Sequence, residues 1–328
     1  MLFRIPLLLL LLVLPAEVFA GAGYAEQVFK DKQRHRKLDT FIWYPSAEAE
    51  VKESEAKRVF KGFYAEKNSK ITAVNAPLVV MLHGTGGNKT NQGWLAQALA
   101  ENGAVVIAAD HPKSSVKEAG AMPEIWLQAQ DASFLIDSIL LSEYSQYIDS
   151  NKIYALGFSL GGYSALALAG AEVNMRRYID FCSEESTKAC ANMAPILKKM
   201  PDTYFETASK SYADRRIKKV TAIAPAFVGT MSNESLASIN IPVMVLAAGQ
   251  DLNIDPDLEY EQIYDGQYPN IAYDEVYEAD HYAFIQECKD GAVEKMGRMA
   301  FLCREPVKQS RAESHKEALS KIIPFIFK

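Results

Sequence analysis

A serine can act as a nucleophile when the chain around it lifts its hydroxyl clear of a sheet, and Gly157-Phe158-Ser159-Leu160-Gly161 has that pattern. The apolar run Lys152-Ile-Tyr-Ala-Leu156 precedes it and the helix-forming run Tyr163-Ser-Ala-Leu-Ala-Leu-Ala169 follows, which reads as strand, sharp turn, helix. Such a turn needs small residues two positions either side of the serine, so that the strand and helix backbones can approach; Gly157 and Gly161 supply them. The hydroxyl is a weak nucleophile near neutral pH. It needs a base to take its proton and a carboxylate to orient that base.

Few histidines can serve. His35 lies in a basic turn, His111 precedes a proline after an apolar run, and His315 sits in a charged C-terminal helical stretch. His281, in Glu278-Ala-Asp-His-Tyr-Ala-Phe284, follows the last strand-like segment, at the kind of strand end where catalytic loops of open parallel sheets lie. It is the candidate base. The acid should come from the loop after the preceding long strand, where Asp251, Asp255 and Asp257 compete. Asp251 follows Gly249 at the strand end, whereas Asp255 and Asp257 read as caps of a helix beginning at Pro256, so Asp251 is preferred and Asp255 comes next. A tetrahedral oxyanion needs two donors. The backbone N–H of Leu160, at the start of the helix, is one candidate; the N–H of Thr85, in the glycine-rich His83-Gly-Thr-Gly-Gly87 loop, is the other. His83 itself reads as structural. The loop lacks the spacing of a phosphate cradle.

The elements that must position these groups alternate. Leu78–Leu82, Ala104–Ala109, Val220–Ala224 and Pro242–Ala247 are continuous apolar runs of strands buried on both faces, with Asp274–Tyr277 shorter. Trp94–Asn102 and Glu124–Leu141 read as helices between them, and Ser46–Arg58 as a surface helix or loop. The alternation predicts an α/β fold, a mostly parallel central sheet with helices on both faces. Residues 172–219 exceed a crossover connection and predict a helical cap insertion, with helical patterns at Met193–Met200 and Tyr204–Ser211. Its Met175, Tyr178, Phe181, Met193, Met200, Tyr204 and Phe205 are candidates for the apolar wall of a compact pocket.

The start of the chain has a positive residue, an apolar stretch from Ile5 to Leu14 and small residues near Ala20, which predicts a signal peptide over 1–20 and a hydrolytic domain over 21–328. The stretch is shorter than a span of about 20 residues and is followed by Pro15 and Glu17, so no stable membrane insertion is expected. Export to a periplasmic or extracellular compartment makes the four cysteines a disulfide framework, and local spacing favours Cys182–Cys190 and Cys288–Cys303. The net charge of −6 disfavours nucleic acid, and the basic cluster Lys30–Lys37 reads as a solvated turn.

Taken together, Ile42-Trp-Tyr-Pro45, Pro77–Gly84, Ala109-Asp-His-Pro112, Gly157–Gly162, Asp214–Lys218 with Ala224-Pro225, and Asp280–Phe284 with Cys288 give a chain that resembles the predicted dienelactone hydrolases of the α/β-hydrolase superfamily, close to the platelet-activating-factor acetylhydrolase type. The resemblance implies the α/β-hydrolase fold, Ser159, Asp251 and His281 as a triad in that chain order, and Thr85 and Leu160 as oxyanion donors. Dienelactone hydrolases proper use a cysteine where this chain has Ser159, so the implied reaction is hydrolysis of a small carboxylic ester, without metal or organic cofactor. Thioester, lactone or peptide hydrolysis by the same groups is the alternative within the enzyme class; a non-catalytic exported binding module is the alternative outside it. The sequence leaves the oligomeric state open.

Overall fold

The continuous apolar runs become the central strands of one nine-stranded sheet, as burial on both faces requires. The computed structural model describes residues 21–47, 52–114, 124–184, 187–264, 266–304 and 308–328. The expected leader lies outside the described residues, as does part of Ser46–Arg58; the rest of that segment is extended rather than helical.

Two long strands, β1 (Gly21–Asp31) and β2 (Arg36–Ser46), open the described chain, followed by the two-residue strands β3 (Glu53–Ser54), β4 (Phe63–Tyr64) and β5 (Glu66–Lys67). Next come β6 (Ala76–Leu82), α1 (Gly93–Glu101), β7 (Val105–Ala109), α2 (Leu127–Leu140), β8 (Ile148–Phe158) and α3 (Leu160–Ala169). Three helices, α4 (Met175–Glu184), α5 (Lys188–Leu197) and α6 (Asp202–Ala208), precede β9 (Ile217–Ile223), α7 (Asn233–Ser238) and β10 (Val243–Ala248). The chain ends with α8 (Pro256–Glu259), α9 (Glu261–Tyr264), β11 (Ile271–Val276), α10 (Ala292–Met296) and α11 (Arg311–Phe327).

The sheet order is β11-β10-β9-β8-β6-β7-β2-β1-β5. Pairing is parallel from β7 through β6, β8, β9 and β10 to β11, and antiparallel where β2 joins β7 and β1. Side chains alternate between the faces: Leu78, Val80 and Leu82 of β6 enter the core beneath α2 and α3, whereas Val79 and Met81 enter the core beneath α1 and α11. Strand β1, which no sequence pattern singled out, pairs with β2 along its whole length.

The segment expected to be a cap holds α4, α5 and α6, with the Cys182–Cys190 bridge tying α4 to α5. Its large side chains serve the core. Met175, Tyr178, Tyr204 and Phe205 are buried, Tyr178 lying edge-on to Phe227 at 5.0 Å and Tyr204 against Trp126 at 5.2 Å. Phe181, Met193 and Met200 pack partly buried against the same cluster. The expected apolar pocket wall is therefore not built from them. The basic cluster is also more than a solvated turn: Lys32–His35 do form the turn between β1 and β2, but Arg34 and Arg36 reach inward to the buried carboxylate of Asp131.

Candidate active site

Strand β8 passes into α3 through a single residue, Ser159, whose φ of 56° and ψ of −118° lie outside the regions favoured by residues with a side chain. Two close approaches force that turn. A Cβ on Gly157 would fall 2.0 Å from the carbonyl oxygen of Gly161, and a Cβ on Gly161 would fall 2.1 Å from that of Leu82. The Ser159 N–H donates to Ile223 O at 2.9 Å, and its carbonyl accepts from Tyr163 and Ala226. The serine is thus pinned by β9 on one side and by its own helix on the other.

Three side chains from three strand ends meet here. His281 opens the short 3-10 turn after β11, and its Nε2 stands 3.1 Å from Ser159 Oγ. Its Nδ1 lies 2.6 Å from Asp251 Oδ2. Asp251 follows β10, and its second oxygen accepts from the N–H groups of Asn253 and Ile254, both at 2.8 Å. Three acceptor contacts hold the carboxylate in one orientation, and it and the imidazole are buried. Asp255 does something else: it caps α8 by accepting from the N–H of Asp257. Gly249 lets β10 turn here, because a Cβ would sit 2.4 Å from Tyr277 O.

The His83–Gly87 loop packs directly on the serine. A Cβ on Gly84 would lie 3.1 Å from the Phe158 ring and 3.2 Å from Ser159 Cβ. Among the described residues, no hydrogen bond joins the N–H of Thr85 or of Leu160 to a loop or turn carbonyl. A buried polar chain that sequence reading did not anticipate supports this loop. His83 is held neutral, its pKa lowered to about 3 by burial and then by His111. It accepts at Nε2 from the His111 N–H (3.2 Å), which leaves Nδ1 as the donor to Gly84 O (2.7 Å). His111 Nδ1 stands 3.0 Å from Asp131 Oδ2, and Arg36 grips both oxygens of Asp131 at 2.6 and 2.5 Å. Burial alone would raise the Asp131 carboxyl pKa, but hydrogen bonds to His111 and Arg36 hold it below the ordinary value. The sequence signal was present in Arg36 and His111, but nothing local says that they share one partner 95 and 20 residues away.

Two cavities border the residues around the serine, one at His281 and one at Phe158 and Thr85. One of about 530 Å³ is lined by His281, Asp280, Gln250 and Asn253 together with Lys188, Ala191 and Asn192 of α5. The other, of about 350 Å³, lies along the Gly84–Gly87 loop beneath Phe158, Ile285, Met296, Met299 and Leu302. Met296, Met299 and Leu302 of its apolar wall come from the segment closed by the Cys288–Cys303 bridge, and no lining residue comes from the insertion. Both expected bridges are formed. Among the described residues, no group of three or more His, Cys, Asp or Glu side chains is placed to hold a metal ion, and no helix is long and apolar enough to cross a membrane.

Solved structures share this architecture. A ferulic acid esterase from Streptomyces cinnamoneus superposes with a TM-score of 0.60 at 17% identity, covering 96% of this chain and 91% of its own. A Klebsiella pneumoniae protein proposed to be a dienelactone hydrolase gives 0.53 at 14% identity, covering 93% and 98%. The chain has the α/β-hydrolase fold. Within that α/β-hydrolase scaffold, residues 60–200 match the model of the dienelactone hydrolase family, a stretch that runs from before β6 through the elbow to the end of α5. No curated protein matches the chain in sequence.

Proposed function

We propose that this chain is an exported serine hydrolase that cleaves carboxylic esters through an acyl-enzyme on Ser159. The observation that carries the reading is the unbroken line from Ser159 Oγ to His281 Nε2 and from His281 Nδ1 to Asp251, at 3.1 and 2.6 Å. Ser159 Oγ attacks the ester carbonyl as His281 takes its proton, and the N–H groups of Thr85 and Leu160 receive the oxyanion. Collapse breaks the bond to the alcohol, which leaves with the proton from His281. Water, deprotonated by the same imidazole, then attacks the acyl-enzyme and releases the acid and Ser159. Asp251 keeps Nδ1 protonated throughout and stabilises the imidazolium. The match to the dienelactone hydrolase family supports hydrolytic chemistry, and the esterase among the structural neighbours supports the ester bond.

Residues 172–219 act in this reading as a cap, since α5 borders the cavity beside His281. Export after cleavage near Ala20 is supported by the two disulfides, which persist in oxidising compartments. The smaller cavity, about 350 Å³ and closed by apolar side chains, favours short or compact acyl groups over long linear ones.

Ser159→Ala tests the assignment. It is expected to abolish labelling by a fluorophosphonate and to lower turnover of p-nitrophenyl esters by several orders of magnitude with the fold intact, leaving only the residual catalysis of the donors and of binding. Across the wild-type series from acetate to palmitate, kcat/KM should peak at short acyl chains. Near-normal turnover in the alanine variant would remove Ser159 from the reaction; intact folding with no labelling of the wild type would favour a binding module.

A further inference from the structure

The two cavities do not divide the site symmetrically. His281 lines the larger and not the smaller; Thr85 and Phe158 line the smaller and not the larger. Tyr282 and Phe301 line both, with ring centroids 5.1 Å apart, so this aromatic pair is the partition. If Ser159 is the nucleophile, as proposed above, the chemistry assigns each side. The leaving oxygen must receive its proton from His281 Nε2, so the alcohol limb of the ester extends into the cavity that the imidazole lines. The acyl limb, anchored by its carbonyl at the Thr85 and Leu160 N–H groups, extends the other way, under Phe158.

Both sides have apolar lining, including Ala191 and Leu252 on the alcohol side, and they differ in the polar groups beside it. Phe158, Ile285, Met296, Met299 and Leu302 make the acyl side apolar. The alcohol side carries amides and, at its edge, the exposed cations Lys188 and Arg304, for neither of which an ion pair is recorded among the described residues. Asp280, the acid on that side, is half-buried, and one of its oxygens, Oδ1, is closed off from solvent. We infer that the preferred substrate is a polarised ester, with a compact apolar acid limb and an alcohol limb bearing an anionic group, and that Phe301 and Arg304 set that direction. Phe301 is 38% exposed, at the mouth, where it contacts either limb without supporting the core.

Two isomeric esters isolate the direction: the phenylacetyl ester of glycolate and the monobenzyl ester of malonate contain the same atoms, with the ester linkage reversed. With each rate divided by that for alkaline hydrolysis, kcat/KM is expected to favour phenylacetyl glycolate by about tenfold or more, the scale of burying part of an aromatic ring. Phe301→Ala should lower the ratio of phenylacetyl to acetyl glycolate cleavage several-fold. Arg304→Ala should lower the ratio of phenylacetyl glycolate to methyl phenylacetate by about threefold, an effect that added salt erases, as suits an exposed cation. Fluorophosphonate labelling of Ser159 is measured on every variant, which separates loss of the catalytic site from loss of direction. Full labelling with equal or reversed preference between the isomers overturns the polarised-ester inference and leaves the esterase reading standing; absence of labelling in the wild type removes both.

Discussion

Asp251 and Asp255 stand four residues apart in one loop, and their surroundings give them different work. Asp251 is buried, with one oxygen on two backbone N–H groups and the other on the imidazole. Asp255 is the N-cap of α8. Asp251→Asn would offer His281 Nδ1 an amide able to stabilise the wrong tautomer, and kcat is expected to fall by about three to four orders of magnitude. Asp255→Asn should leave kcat/KM within about twofold and stability nearly unchanged, because asparagine caps a helix as well as aspartate does. Steady-state kinetics on the two variants decide the matter, and the reverse ranking would move the acid to Asp255. The grouping of Ser159, His281 and Asp251 was legible because a glycine-flanked serine, a histidine after the last strand and an aspartate after the one before all lie at strand ends on one side of the sheet.

At the scale of elements, the disulfide-closed segment after His281 carries much of the wall of the proposed acyl side. Cys288 and Cys303 join across 15 residues, and buried Arg311 also holds the segment by donating to Gln286 O at 3.0 Å and Leu302 O at 2.7 Å. Replacing both cysteines by serine should cost about 3 kcal/mol of stability in the chain-entropy model, measurable by denaturant unfolding. It should weaken kcat/KM for esters with bulky acyl groups more than it slows fluorophosphonate labelling, since His281 retains Asp251. Equal losses in both would mean that the bridge positions the base instead. The central strands and the elbow were readable because their periodicity and glycines are local signals. The proposed acyl wall was not: Met296, Met299 and Leu302 lie in a short mixed run that the bridge and Arg311 tie to the rest of the chain, whereas the aromatic residues of the insertion looked available but are consumed by the core. Strand β1 escaped because its Ala, Gly, Glu and Lys residues are poor strand formers, and its pairing with β2 supplies the order.

Across the whole molecule, buried titratable groups make stability depend on pH in two opposed ways. His83 and His315 are each lowered to about 3, in both cases mainly by burial. Their contribution is complete above the unfolded value of about 6.5 and is lost as pH falls toward 3. Glu259 is raised to about 7, chiefly by burial, while its carboxylate accepts from the Gly229 N–H at 3.1 Å. Its contribution runs the other way: complete below the unfolded value of about 4.3, it is lost as pH rises through 7. Glu259→Gln keeps the acceptor and removes the charge. Thermal unfolding followed from pH 4 to 8 should therefore show the variant gaining on the wild type as pH rises through that window. A constant offset between the two curves would mean that Glu259 does not titrate there.

The backbone of Ser159 turns the proposed nucleophile into a thermodynamic liability. Its positive φ is one that glycine adopts freely and serine or alanine does not, and sparsely populated conformations of this kind cost of the order of 1–3 kcal/mol. Glycine surrenders roughly 0.5–1 kcal/mol of that gain through the extra freedom of its unfolded chain. Ser159→Gly should thus melt at a higher temperature than both the wild type and Ser159→Ala, which keeps the strain without the hydroxyl. The difference in melting temperature between the two inactive variants would gauge how much robustness the chain forgoes to hold one oxygen atom in place, and selection for heat resistance alone would be expected to erase the serine.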